Sequence, residues 1–246
     1  MWKWIQAFAS PQNFYRISKK LIPWFLYPFI ALILVGLYWA LIVSPPDYQQ
    51  GESVRIMYVH VPAAWMSLFI YVVMAIAGAI GLIWQIKIAN VVASVSAPIG
   101  AAFTFLALVT GAVWGKPMWG TWWVWDARLT SELILLFLYL AYMSLNNAFD
   151  NPKTAAKASS VLAIVGLVNI PIIYYSVEWW NSLHQGSSVS VTKVSMQIDM
   201  FYALLLISFA FKFLYGALVL MRARDEVLVR EQNSRWVKAI ITGGKE

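Results

Sequence analysis

Six long runs of apolar residues alternate with polar connections along this chain. About twenty helical residues are needed to cross a hydrocarbon core of about 30 Å, and no run alternates as a barrel strand would. Because lipid accepts only helices or closed barrels, the pattern predicts an all-α integral membrane protein. We expect a single membrane domain over residues 1–246, a six-transmembrane-helix bundle with a tail at 222–246. The spans fall near residues 22–43, 61–84, 92–114, 129–148, 157–177 and 199–221.

Composition supports the membrane assignment and limits the chemistry. The chain is 61% hydrophobic and only 12% charged, whereas about a quarter of the residues of a soluble domain are charged. It contains no cysteine. Disulfides, thiolate metal sites and the Cys-x-x-Cys-His attachment of a c-type haem to this chain are therefore excluded.

The basic residues predict the orientation of the bundle. A net charge of +7 first suggests nucleic acid, but most of the 18 Lys and Arg residues flank the spans. Thirteen lie in the N-terminus, the second and fourth connections, the start of the fifth run and the tail. Arg55, Lys116, Arg128 and Lys193 lie on the opposite side. Since positive charge stays inside, we expect cytoplasmic termini and no nucleic-acid partner. In a bacterium this orientation corresponds to the inner membrane, with the opposite side in the periplasm.

A tryptophan-rich periplasmic loop is predicted between helices 3 and 4. Residues 114–126, here called the Trp-rich segment, hold five tryptophans together with two glycines and a proline. Indole rings usually gather at the membrane–water boundary, so an interfacial belt is one interpretation. The crowding favours the other, a flat aromatic surface for a large planar ligand. The tryptophans are Trp114, Trp119, Trp122, Trp123 and Trp125.

The two histidines of the chain, His60 and His184, both fall on the predicted outer side. Neutral imidazole is a common axial ligand of haem iron, whereas a zinc site normally needs a third or fourth protein ligand. An isolated interfacial histidine is the alternative for each. Arg128 and then Arg55 are our candidates for binding a porphyrin carboxylate, because guanidinium offers a bidentate fork.

Two acids stand at the start of the fourth run. Asp126 precedes the predicted helix, where an aspartate caps free N–H groups and suits the helix dipole. Glu132 lies about a turn into the helix, where contact with lipid would be costly. We expect Glu132 to face the interior of the bundle or to pair with Arg128.

The segment Trp119-Gly120-Thr121-Trp122-Trp123-Val124-Trp125-Asp126 resembles the WGxxWxWD motif of the haem-handling protein superfamily. The chain length, the six spans and the flanking histidines resemble the haem exporter protein C (cytochrome c maturation protein C) family. This resemblance implies that His60 and His184 are axial ligands of a non-covalently bound haem b. It also implies that Trp119, Trp122, Trp123, Trp125 and Asp126 contact the haem.

The resemblance further implies a function in the maturation of c-type cytochromes. Members bind haem at the periplasmic face and deliver it to a membrane-anchored periplasmic haem chaperone. They act beside an ABC-type ATPase, its membrane subunit and a small single-span helper protein. The present chain has no phosphate-binding Gly-x-x-x-x-Gly-Lys-Ser/Thr loop, so we expect a non-hydrolytic subunit that transfers haem.

Three other interpretations stay open at this stage. A membrane b-type cytochrome would more naturally place its histidines within the spans. A haem-transporting membrane subunit of an ABC complex would usually carry ionisable groups at mid-depth, and spans two to five carry almost none. A scaffold without a ligand is the third.

Overall fold

The computed structural model describes residues 9–180, 182–184, 186, 189 and 194–242. Lys193, counted above among the outward cations, lies outside these ranges. The described residues form helices joined by short connections, with two isolated β-bridges and no strands. The helices are α1 (Pro11–Tyr38), α2 (Met57–Trp84), α3 (Lys87–Trp119), α4 (Ala127–Asn147), α5 (Pro152–Gly166), α6 (Asn169–Trp179), α7 (Ile198–Arg230) and α8 (Arg235–Ile241).

Six helical segments are long and apolar enough to cross a membrane, which confirms the predicted all-α membrane fold and makes this a multi-pass membrane protein. They are Pro11–Val43, Glu52–Trp84, Lys87–Trp119, Ala127–Asn147, Pro152–Trp179 and Ile198–Arg230. Most extend beyond the apolar runs, because helical hydrogen bonding continues into the flanking polar residues. α1 continues as a π-helical turn to Val43, and a 3₁₀ turn at Glu52–Ile56 leads into α2.

The bundle has a tightly packed centre and one peripheral helix. α2 packs closely against α3 and also contacts α5 and α7, while α4 packs against α3 and α5. α1 packs mainly along α7, and only Phe14, Ser18 and Gly36 of this helix are buried. Gly36 allows that approach, because a Cβ atom there would lie 2.9 Å from Ile207 Cγ1.

The fifth span is broken into two helices near Pro171. α5 ends at Gly166 and α6 begins at Asn169, with Leu167 and Val168 between them. Pro171 then lies in the first turn of α6, where its missing N–H has no intrahelical partner to lose. α6 carries the chain from this break to the loop that contains His184.

The Trp-rich segment is not one loop, and this corrects its predicted start. α3 continues through Pro117 to Trp119 and ends at Gly120, whose φ of 77° is the left-handed conformation favoured by glycine. The Gly120 N–H donates to the Lys116 carbonyl. The connection between α3 and α4 is therefore residues 120–126, and Trp114 and Trp119 lie on the helix.

The tail begins as a continuation of α7 rather than as a separate helix. Residues up to Arg230 belong to α7, and the short α8 follows. Glu231 pairs with Lys87 at the start of α3, with Nζ and Oε1 2.7 Å apart. Arg224 donates to the Tyr15 carbonyl and lies 4.0 Å from the centroid of the Tyr15 ring. These contacts fix the three helix ends relative to one another.

Candidate haem-binding cavity

One cavity of about 770 Å³ opens at the end of the bundle that carries the Trp-rich segment. Its wall comes from the connection after α1, from α2, α3, α4, α6 and α7, and from the loop before α7. The wall extends along α2 from Met57 to Leu68, which is about 16 Å at the helical rise. The volume lies within the range of about 300–1,000 Å³ that is usual for ligand sites.

The residues that line the cavity form the cavity wall, which includes both histidines of the chain. It also includes two tryptophans of the Trp-rich segment and two charged side chains of α4. The deeper part is apolar. Members of the cavity wall include His60, Trp114, Trp119, Arg128, Glu132 and His184. Its apolar members include Trp65, Leu68, Leu108, Ile173 and Leu204.

A stripe of α3 builds one side of the wall. Ala107, Gly111, Trp114 and Met118 all line the cavity at steps of three or four residues, so they share one face of the helix. The stripe continues to Trp119. This periodicity places Trp114 and Trp119 on the inward face, although both belong to the segment that the sequence predicts to be a loop.

His60 is held against α3 by hydrogen bonds and by ring packing. Its Nδ1 lies 3.0 Å from the Ala107 carbonyl and 3.2 Å from Thr110 Oγ1. Because a carbonyl only accepts, Nδ1 carries the proton and Nε2 keeps its lone pair. The ring meets Trp114 edge-on, with centroids 5.6 Å apart. Gly111 makes room for it, since a Cβ atom there would lie 2.9 Å from His60 Cε1.

Trp114 is fixed in turn by the connection after α1. Its Nε1 donates to Gln50 Oε1 at 2.9 Å. Gln50 belongs to a turn in which Asp47 Oδ1 accepts the N–H groups of residues 49 and 50, and Gly51 has a φ of 55°. The turn therefore holds the Trp114 indole, and this indole packs against the His60 imidazole.

His184 lies on the loop between α6 and α7 and packs on Trp119, with ring centroids 4.9 Å apart. Its Nδ1 lies 3.4 Å from Asp126 Oδ2. Burial lowers the pKa of the His184 imidazole from its ordinary value, and the Arg128 charge lowers it further, while Asp126 opposes both. The ring is therefore neutral at pH 7, the form that binds a metal.

Arg128 is the free cation of the wall. Within the described ranges its guanidinium makes no hydrogen bond and no ion pair, although it lines the cavity. Glu132 is buried and lines the cavity too, as expected, and Ser67 Oγ lies 2.7 Å from its Oε1. No ion pair joins Arg128 to Glu132 among the side chains that can be described. Arg128 is thus available to an anionic group inside the cavity.

The other predicted site residues lie outside the cavity wall. Trp122 and Trp125, called the outer rim below, are 56% and 76% exposed. Trp123 packs edge-on against Trp125 at 5.4 Å, and its buried indole N–H has no partner in the described part of the chain. Arg55 is bound to Glu52, with Nε and Oε2 2.5 Å apart, and to the Ala40 carbonyl.

Asp126 has the capping role that the sequence predicts, and a second role besides. Its Oδ1 accepts the Leu129 N–H at 2.8 Å, which caps α4. Its Oδ2 accepts the Ser182 hydroxyl and faces His184. Ser182, Gln50 and Gly111 were missed by sequence reasoning, because no local pattern relates them to the histidines.

The residues present fit a haem. Two imidazoles, aromatic and apolar walls and a free arginine meet the needs of an iron, a macrocycle and a propionate. Among the described residues there is no group of three or more His, Cys, Asp or Glu that would hold a bare metal ion. The donor set therefore favours a metal that brings its own equatorial ligands.

Known proteins are similar to this chain over nearly its whole length. Residues 4–238 match the family model described as Heme exporter protein C. This chain belongs to that family. It is 53% identical to the Heme exporter protein C of Haemophilus influenzae and 51% identical to that of Escherichia coli K12, each over 98% of both chains. A Marchantia polymorpha protein named as a putative ccmC-like mitochondrial protein of cytochrome c biosynthesis is 47% identical over 80% of this chain and 84% of its own.

Membership covers nearly the whole membrane bundle. The matched residues 4–238 include every helix from α1 to α7 and both histidines, so the cavity belongs to the shared part of the chain.

Proposed function

We propose that this protein binds haem non-covalently in the outer cavity and presents it to a periplasmic haem chaperone during the maturation of c-type cytochromes. His60 and His184 are the axial ligands in this proposal. Trp114 and Trp119 contact the macrocycle, and Arg128 binds a propionate. Family membership supports the broader role in haem export and cytochrome c maturation.

One observation carries the proposal: the two histidines of the chain line the same cavity. They come from α2 and from the loop before α7, more than a hundred residues apart. Each packs edge-on against a tryptophan of α3, and each has its Nδ1 against an oxygen. Two separate interfacial histidines would have no reason to share these features.

The wall supplies binding and orientation rather than bond chemistry. Haem itself brings the iron and the reactive periphery when it is bound. The chain excludes water with its apolar depth, holds both imidazoles and neutralises a carboxylate with Arg128. An ABC-type ATPase, its membrane subunit and a single-span helper are the partners implied by the family resemblance, with both termini in the cytoplasm.

The outer rim has the other half of the task in this proposal. Exposed indoles at a membrane boundary suit a partner surface that is partly apolar. We assign Trp122 and Trp125 to contact with the chaperone. Trp123 offers its buried N–H at the same place.

Absorption spectra of the purified protein test the proposal. Cells supplied with haem should yield wild-type protein with low-spin ferric haem, and His60→Ala or His184→Ala should each disturb that spectrum. The double variant should lose most of its haem. Trp125→Ala is a matched control, because it removes a large aromatic ring outside the wall. A double variant with the wild-type spectrum and haem content would defeat the assignment.

The same preparations separate the rival functions. A b-type cytochrome would sustain rapid quinol oxidation, whereas we expect none, because both histidines lie at one end of the bundle. A haem transporter would carry haem into vesicles when reconstituted alone. We expect retention in the cavity instead, with release only when the chaperone is added.

A further inference from the structure

The two histidines differ in the groups that their Nδ1 atoms face. His60 faces a backbone carbonyl of α3 and the Thr110 hydroxyl. His184 faces a carboxylate, Asp126, across 3.4 Å. Thr110 Oγ1 also lies 2.6 Å from the Leu106 carbonyl, so its own proton is used there and it accepts from His60. A helix therefore orients His60, whereas a side chain must orient His184.

Asp126 is placed to do this. Its side chain is 8% exposed and does not line the cavity, so it stands behind His184 rather than beside a ligand. Oδ1 is used by the Leu129 N–H, at 2.8 Å. Oδ2 accepts the Ser182 hydroxyl, and Ser182 Oγ accepts the His184 N–H at 3.1 Å.

We propose that Asp126 is a positioning residue, which accepts the Nδ1 proton of His184 and leaves Nε2 with its lone pair for the ligand. A neutral imidazole has one protonated nitrogen, and the partner of that nitrogen decides which one it is. A carboxylate in this position also raises the basicity of the ring. The aspartate of the WGxxWxWD motif thus acts through His184 and not by touching haem.

Ser182 makes this arrangement possible in a loop. It joins the carboxylate of the α4 cap to the backbone of the loop, so the cap and the imidazole move together. Because α4 also carries Arg128 two residues after Asp126, one helix end sets the positions of an axial ligand and of the propionate-binding cation. The role of this His184 tautomer in haem binding rests on the proposed function. The tautomer itself is a property of the ligand-free protein.

Asp126→Asn is the decisive variant. Its amide oxygen still accepts the Leu129 N–H, so the cap is kept. Its NH₂ group then faces His184 Nδ1, and two donors cannot face each other. The ring should therefore move its proton to Nε2 and lose the lone pair needed by iron.

The tautomer can be measured without haem. Since the chain has two histidines, ¹⁵N-histidine labelling of the full-length protein in nanodiscs gives the nitrogen signals of two rings, and His60→Ala assigns them. In the wild type we expect a protonated Nδ1 in both rings. In Asp126→Asn we expect reversal in His184 only, with His60 as the internal reference. A wild-type His184 protonated at Nε2, or no change in the variant, would overturn the proposal.

Haem titration then tests the consequence. Asp126→Asn should weaken haem binding about 10–100-fold, as loss of such a partner usually does. Asn151→Ala is the matched control for capping, since Asn151 Oδ1 accepts the Lys153 N–H at 2.9 Å, and it should leave haem affinity unchanged. Free imidazole added to His184→Gly should restore the low-spin spectrum equally with Asp or Asn at position 126.

The last comparison separates the possible failures. If the Asn variant also weakens binding in the His184→Gly protein with imidazole, Asp126 acts directly on haem or on the fold, and the positioning role is wrong. If the wild type binds no haem at all, the proposed function fails instead, and the nitrogen signals of the ligand-free protein still decide the tautomer.

Discussion

The inner and outer halves of the Trp-rich segment are both rich in tryptophan but have different surroundings. Trp114 and Trp119 lie on the last turns of α3, and each packs against a histidine of the cavity wall. Trp122 and Trp125 of the outer rim follow Gly120 and are more than half exposed. The segment is thus divided by a helix end, with cavity-lining indoles on one side and an exposed aromatic surface on the other.

The largest difference in haem affinity is expected between an arginine of the cavity wall and an arginine outside it. Arg128→Gln removes the free cation of the cavity wall, and a hydrogen bond to a charged group contributes about 1.5–3 kcal/mol. We expect haem affinity to fall about 10–100-fold, measured by spectroscopic titration. Arg55→Gln, outside the wall, should have little effect on affinity. Haem dimethyl ester should bind both variants equally, and an equal loss with the ester would show that Arg128 does not meet a carboxylate.

The next largest difference in haem affinity is expected between Trp119 of the cavity wall and Trp125 of the outer rim. Trp119→Ala removes the ring that packs against His184, and we expect haem affinity to fall about tenfold, since such a pair is worth about 0.5–1.5 kcal/mol beyond its buried area. Trp125→Ala should leave haem affinity within about twofold but reduce transfer to the chaperone in a reconstituted assay. If Trp125→Ala weakens haem binding as much as Trp119→Ala does, the division of the motif is wrong.

A smaller effect is expected from Gly111→Ala. The added methyl group would lie 2.9 Å from His60 Cε1, so the ring must shift away from the Ala107 carbonyl. We expect a several-fold loss of haem affinity, since overpacking costs about 1–3 kcal/mol, with a changed low-spin spectrum. Gly216→Ala, which would press on Phe25 of α1, is the matched control: it should lower thermal stability and leave the haem spectrum intact. A normal haem spectrum in Gly111→Ala would contradict the close packing of His60 against Gly111.

The smallest effect belongs to Gln50. Gln50→Ala leaves the Trp114 N–H without its acceptor, which costs about 1 kcal/mol, and we expect a few-fold loss of haem affinity in the same titration. Gln50→Glu keeps an acceptor oxygen and should bind haem like the wild type. Equal behaviour of the two variants would mean that the hydrogen bond to Trp114 does not orient the wall.

The spans were predictable because each is a continuous local signal. An apolar run of about twenty residues has one stable solution in lipid. The cap at Asp126 was predictable for the same reason, since an aspartate before an apolar helix leaves a local pattern. The break before Pro171 likewise follows from the proline alone.

The division of the Trp-rich segment was not predictable from its composition. Pro117 and the two glycines indicate a loop, yet α3 continues to Trp119, because Gly120 rather than the proline supplies the left-handed turn that ends it. The contacts of the wall were hidden for another reason. Gln50 and Trp114, or Asp126 and His184, are more than fifty residues apart, so only the packing of the bundle brings them together.

The peripheral position of α1 sets where this chain tolerates change. No residue of α1 belongs to the cavity wall as far as the described residues form it, and the helix packs mainly on α7. Substitutions that keep α1 apolar and preserve Gly36 should therefore alter anchoring in the bilayer and leave the ligand site alone.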